Sequence, residues 1–152
     1  MSKAIIGIGI PGCGKTTLLK PLAEHEGLMY VNADDIRMEI TGDPRNHTKE
    51  LVVYRIAHER AVAGIRGAGV VFDGTYTRRR DRVSTIKLLR ENGAKQIVAY
   101  WIQAPLETCL VRNSTRSKVV PDAAIKKMHN RLNLNPPTPE EGFDEVVVID
   151  NQ

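Results

Sequence analysis

Eight consecutive residues, Gly9-Ile10-Pro11-Gly12-Cys13-Gly14-Lys15-Thr16, satisfy the spacing GxxxxGK[ST] at every fixed position. Chemistry of one kind needs these types in this order. Glycines free the backbone N–H groups to converge on phosphate oxygens. A helix starting near Lys15 points its positive end at the same anion. Lys15 would then reach the β- and γ-phosphates of a nucleoside triphosphate, and the Thr16 hydroxyl would ligate Mg²⁺. The expected nucleotide cradle is therefore Gly12, Cys13, Gly14, Lys15, Thr16 and Thr17, with Lys15 also catalytic, and the implied cofactors are ATP and Mg²⁺. Such a loop binds phosphate without by itself separating kinases from GTPases or motor ATPases. No NKxD guanine-reading segment is present, since Gln103-Ala104-Pro105-Leu106 follows the fourth expected strand.

Transfer of a phosphoryl group to an alcohol also needs a carboxylate to accept the hydroxyl proton. In an open α/β sheet that group belongs beyond the carboxyl end of a strand. Asn32-Ala33-Asp34-Asp35-Ile36-Arg37 stands there, after the second expected strand. Asp34 is the candidate general base, and its other available role is helix N-capping. Asp35 is the weaker candidate, suited to the first turn of a helix. Arg37, three residues past Asp34, shares its helical face and would hold an acceptor phosphate in a bidentate grip. Asp73 ends the apolar run Val70-Val71-Phe72, where it would serve the metal or hold Arg37, and Thr75 extends the same strand tip toward the cleft. The similarity of this tip to a phosphatase DxDGT motif fails, because Val71 stands where the second aspartate is required.

Basic residues supply the remaining candidates. Arg112 and Arg116 end the helix after the fourth strand, and residues 117–120 read as a hinge. A lid there would bring Arg116, assisted by Arg112, onto the β- and γ-phosphates. The alternative is a solvated basic helix end. Arg78, Arg79, Arg80 and Arg82 make a dense positive run, either a solvated helix face or a contact for an acceptor backbone. Four histidines, His25, His47, His58 and His129, show no metal spacing.

The elements that must position these residues alternate. Strands are expected at 4–9, 28–32, 69–73, 96–102 and 145–150. Helices are expected at 15–25, 34–41, 48–66, 78–92, 105–114 and 121–132. Leu18, Leu19 and Leu22 form the inward side of the first helix, and Val83, Ile86 and Leu89 that of the fourth. Residues 133–142, with Pro136, Pro137 and Pro139, read as a poorly ordered loop. Alternation of this kind implies a parallel sheet with helices on both faces.

Composition bounds the rest. The chain has 152 residues, 41% hydrophobic and 26% charged, with a formal net charge of +4, which is ordinary globular usage with a mild preference for phosphate-rich partners. Its two cysteines, Cys13 and Cys109, form no CxxC pair, and read as a loop filler and a core residue. No apolar run is long enough to span a bilayer. One domain over residues 1–152, with a lid at about 112–132, and a cytoplasmic location are expected.

Four stretches carry a resemblance: GIPGCGKTT at 9–17, VNADDIR at 31–37, VVFDGT at 70–75 and VRNSTRSKVVP at 111–121. In them the chain resembles the kinase domain of phage-type polynucleotide 5′-hydroxyl kinases. The resemblance implies an α/β, kinase-type P-loop NTPase fold in three layers, with a parallel sheet of about five strands and a helical lid. It implies Lys15 and Thr16 on ATP-Mg²⁺, Asp34 as general base and Arg37 on an acceptor phosphate. Asp73 would support the acceptor side, and Arg116 would be the lid arginine. The implied partner is a nucleic-acid 5′-hydroxyl end. A sugar, nucleoside or other small-molecule acceptor on the same scaffold is the alternative, and a nucleotide-binding module without transfer is a third reading.

Overall fold

The computed structural model describes residues 2–152. Five strands form one sheet in the order β2-β3-β1-β4-β5, and every pairing is parallel. In chain order the elements are β1 (Lys3–Ile8), α1 (Lys15–Glu26), β2 (Met29–Asn32), α2 (Ala33–Thr41) and α3 (Glu50–Arg66). They continue with β3 (Gly69–Asp73), α4 (Arg79–Glu91), β4 (Gln96–Gln103), α5 (Leu106–Ser114), α6 (Asp122–Leu134) and β5 (Glu145–Asp150). The central strands are continuous apolar runs because helices cover both their faces. Ala4, Ile5, Ile6 and Ile8 of β1 and Val70 and Val71 of β3 are fully buried.

The strand order sets the location of any site. The chain leaves β1 toward β2, then returns through β3 and crosses over β1 to β4. Right-handed crossovers in opposite directions put α1 on one face and α3 and α4 on the other. The carboxyl end of β1 is thus the point where the strand order reverses, the place where open α/β sheets bind ligands. Register brings Gly7, Asp73 and Asn32 side by side across β1, β3 and β2. The phosphate loop and the segment carrying Asp34 therefore start two strands apart, roughly 10 Å at the usual spacing.

Helix ends follow local chemistry. Asn32 caps α2, its side-chain oxygen accepting from the N–H groups of Asp34 and Asp35. Gly27 and Gly42 close α1 and α2 in left-handed conformations. Among the described residues, no helix is long and apolar enough to cross a membrane.

Three expectations change. Leu18 is exposed and Leu19 carries the inward face of α1. Val83 is also exposed, and the buried stripe of α4 is Arg82, Ile86 and Leu89. An arginine therefore occupies a core position. Its partner explains the third change. Residues 133–142, expected to be poorly ordered, fold onto the body: Pro139–Glu141 is a 3₁₀ turn with a Thr138–Glu141 capping box. Glu141 and Phe143 are buried. Arg82 Nε and Nη2 bind the Glu141 carboxylate at 2.6 and 2.9 Å, and both side chains are fully removed from solvent.

Candidate functional site

The loop from Gly9 to Gly14 joins β1 to α1 over the reversal point. Gly12 (φ 85°) and Gly14 (φ 93°) lie in the left-handed region, where a side chain is strained. Space forbids one as well, since a Cβ on Gly12 would stand 2.3 Å from the Cys109 carbonyl oxygen and one on Gly14 2.2 Å from Asn151 Nδ2. Cys13, fully enclosed, packs beneath the loop, and its carbonyl accepts from Asn151 Nδ2 at 2.8 Å. Gly14 caps α1 without a side-chain bond, and α1 has no acid in its first turn. Each of the other five α-helices among the described residues has at least one there. Its first N–H groups and its dipole are thus left for an external anion. The half-buried Lys15 stem folds over Gly9, and the Gly9 N–H donates to the Thr75 carbonyl at 3.2 Å.

Asp73 is the hub of the next layer. It is buried, and one carboxylate oxygen, Oδ2, accepts from Thr16 Oγ1 at 2.8 Å and from the Tyr30 hydroxyl. Asn32 Nδ2 donates in turn to the Tyr30 oxygen at 3.2 Å. One chain of hydrogen bonds thus links the tips of β2 and β3 to the start of α1. Of the two partners expected for Asp73, the metal-side residue Thr16 is the one it touches, while Arg37 is held elsewhere. Burial, reinforced by the hydrogen bond and charge of Asp73, pushes the Tyr30 phenol above its ordinary range. The donor set fits a hydrated divalent cation: a hydroxyl held by a carboxylate, at a helix end that favours phosphate.

Asp34 sits in the first turn of α2, half-buried. It does not cap the helix, because Asn32 does. Its Oδ1 accepts from Arg37 Nη1 at 2.7 Å and from Lys118 Nζ at 2.8 Å. Arg37 shares the face of Asp34 as the spacing requires, but its guanidinium is buried and already bidentate on Glu50, with Nε at 2.7 Å and Nη2 at 2.8 Å. The same contacts hold the Glu50 carboxyl below its usual range. Asp35 points to solvent, and partial burial pushes its carboxyl up against the opposing charge of Lys20.

Residues 114–119, expected to form part of a lid, are fastened at their base. Asn113, buried at the end of α5, donates to the Val120 carbonyl at 2.7 Å and accepts from the Val120 N–H at 3.0 Å. This staple closes residues 114–119 into a loop and carries Lys118 to Asp34. Arg112 lies against the phosphate loop, its Nη1 3.7 Å from where a Gly14 Cβ would stand. Arg116 is exposed and makes no side-chain hydrogen bond or ion pair among the described residues. Arg78, Arg79 and Arg80 are exposed at the start of α4, while Arg82 is core. Glu50, Lys118, Tyr30 and Asn113 are the site residues that motif reading passes over. Glu50 and Lys118 meet their partners 13 and 84 residues away.

Comparisons with known proteins agree with this architecture. A family model described as an AAA domain matches residues 5–135. A cytidylate kinase of Methanocaldococcus jannaschii is 32% identical over 131 residues, which are 81% of this chain and 69% of that protein. Among solved structures, a chain of the Pnkp1/Rnl/Hen1 RNA repair complex superposes with a TM-score of 0.77 at 24% identity, over 94% of this chain and 46% of that one. This chain thus spans about half the length of that neighbour. A gluconokinase from Sinorhizobium meliloti 1021 superposes with a TM-score of 0.62 at 18% identity, over 98% of this chain and 82% of that one. At these identities the solved structures attest the fold.

Proposed function

The chain belongs to the AAA-domain family and is a kinase-type P-loop phosphotransferase, and from that premise we propose that it moves the γ-phosphoryl of ATP onto the 5′-hydroxyl of a polynucleotide. The observation that carries the reading is the Asp34 carboxylate, set beyond the end of β2 across the cleft from the phosphate loop. In this reading Gly12, Cys13, Gly14, Lys15, Thr16 and Thr17 hold the triphosphate, and Thr16, backed by Asp73, holds Mg²⁺. When bound, the ion neutralises charge on the phosphoryl oxygens. Asp34 takes the alcohol proton as the new oxygen–phosphorus bond forms and ADP departs. Arg37 orients Asp34 on the acceptor side. Arg112 approaches the phosphates from the loop side, and Arg116 does so when the lid descends. Thr75 braces the loop through its carbonyl.

A nucleic-acid acceptor is supported by the exposed Arg78, Arg79 and Arg80, which begin α4 beside the Asp73 strand tip and suit a phosphate backbone. The likeness of fold to a chain of an RNA repair complex supports it too. The second reading, a nucleotide or other small-molecule acceptor, is favoured by the 32% identity to a cytidylate kinase. Incubation with [γ-³²P]ATP, Mg²⁺ and a panel of acceptors separates the two. Label in 5′-hydroxyl DNA or RNA oligonucleotides upholds the first reading. Label confined to cytidine monophosphate, nucleosides or sugars overturns it in favour of the second.

A further inference from the structure

Glycine adopts φ of either sign at little cost, so nothing in Gly14 itself fixes the peptide plane that joins it to Cys13. A residue 138 positions away does so. Asn151 follows β5, and its N–H donates to the Gln103 carbonyl at 2.6 Å, which extends the β4–β5 ladder by one residue. From there its side chain reaches back to the loop, Nδ2 donating to the Cys13 carbonyl at 2.8 Å. Among the described residues it is the only donor to that carbonyl. In a trans peptide the C=O and the following N–H point opposite ways, and the described residues contain no cis bond. Holding the Cys13 oxygen toward Asn151 therefore turns the Gly14 N–H away from it, and that N–H meets no backbone acceptor among the described residues. The opposite setting of the plane would present a carbonyl oxygen where a phosphate-binding loop needs a donor. Gly14 also has to be glycine for the amide to come this close, since a Cβ there would stand 2.2 Å from Asn151 Nδ2.

We propose that Asn151 is a positioning residue for the phosphoryl donor: it holds the Cys13–Gly14 peptide so that the Gly14 N–H, and not the Cys13 oxygen, faces the bound phosphates. The proposal rests on the reading of Gly12 to Thr17 as the triphosphate cradle, and it is independent of which alcohol receives the phosphoryl group. Asn151 touches no phosphate in this role and acts through the loop. The tips of β2 and β3 thus carry Asp34 and Asp73, while those of β4 and β5 fix the donor loop from the other side of β1.

Isothermal titration and ¹⁵N–¹H spectra of the full chain with Mg²⁺ test this without turnover. Inorganic tripolyphosphate and a non-hydrolysable ATP analogue are the two probes. Asn151→Leu keeps the size and loses the donor, and Asn151→Ala removes the side chain. In both variants the two probes should weaken by the same factor, about 10-fold or more, the loss expected for one hydrogen bond to a charged group. The Gly14 amide proton, moved downfield by tripolyphosphate in the wild type, should move far less in the variants, while resonances remote from the loop keep their positions. Affinities within about two-fold of the wild type overturn the proposal. So does a loss confined to the ATP analogue, which would put Asn151 on the nucleoside instead. Loss of the native spectrum in both variants would make Asn151 a structural residue and overturn it too. Failure of the cradle reading looks different: the wild type itself would then bind no tripolyphosphate, and the ATP analogue would leave the Gly14 amide unmoved.

Discussion

Asp34 presents two oxygens in unlike surroundings. Oδ1 is held by Arg37 and Lys118, and Oδ2 accepts no hydrogen bond among the described residues. A carboxylate fixed by one oxygen and open at the other suits proton abstraction, because its orientation is set before the alcohol arrives. Asp34→Asn keeps the shape and removes the basicity. Its kcat should fall by roughly 10²-fold or more, with ATP affinity preserved, since general-base losses lie in that range. Single-turnover rates and nucleotide titrations measure the two quantities separately, and a collapse of ATP affinity instead would make Asp34 a structural residue. The position of Asp34 was legible in sequence because a strand end and a following helix are local features. Its environment was not. Asn32 took the capping role that Asp34 also suited, since the residue before the helix is the one with extended backbone and a free side-chain acceptor. Glu50 sits 13 residues from Arg37 and Lys118 sits 84 from Asp34, and no spacing rule reaches that far.

Between elements, the Arg82–Glu141 pair does more than fill a gap. Arg82 Nη1 donates to the Tyr76 carbonyl at 2.9 Å and Nη2 to the Asn135 carbonyl at 2.9 Å. It therefore ties α4 to the β3–α4 connection and to the end of α6. Arg131 of α6 reaches Thr77 in the same connection at 3.3 Å. The connection itself is tightly built, with Tyr76 at φ 45° and its ring edge-on to Phe72. The C-terminal end of α6 and the strand tip beside Asp73 are thus anchored to one buried guanidinium. Removing either partner leaves the other charge buried alone. Arg82→Met and Glu141→Leu should each cost about 3–5 kcal/mol, and the double variant should cost less than either single one. Urea unfolding of the three proteins measures this, and strictly additive losses would mean the pair is not coupled. The run Arg78-Arg79-Arg80 with Arg82 shows why sequence could not separate these roles. Four nearby arginines look alike, and only the helical phase relative to Ile86 and Leu89, together with a carboxylate 59 residues away, puts Arg82 inside. The parallel sheet and its helices were legible for the opposite reason, since apolar runs such as 4–9 and 69–73 are continuous and closed by glycine or a polar residue.

Across the whole molecule, the shifted titrating groups set a pH window. Glu50 is held low by its hydrogen bonds to Arg37, and Asp144 by the Ile97 N–H and then by Arg90. For a carboxyl depressed in the folded state, the unfolded chain binds more protons as pH drops below about 4.3 for Glu or 3.9 for Asp. The stability these groups contribute is therefore fully present above those values and is lost as pH falls through the folded ones. On the alkaline side burial raises the Tyr30 phenol, and burial pushes Tyr76 up to about 12. An unfolded tyrosine ionises near pH 10, so the folded state then holds more protons and loses stability as pH climbs from about 10 through the folded values. Unfolding midpoints in urea should hold a plateau from about pH 5 to 9 and fall on both sides. Glu50→Gln should flatten the acid limb and leave the alkaline one, while Tyr30→Phe should do the reverse. The two limbs also bear on the site, because Glu50 and Tyr30 hold Arg37 and Asp73 respectively. If the clamp on Arg37 gives way first in acid, acceptor affinity should weaken at a higher pH than global unfolding begins. Titrating thymidine 3′-monophosphate at pH 7, 5 and 4 beside the urea curves checks the order, and simultaneous loss of binding and fold would show that the clamp does not open locally.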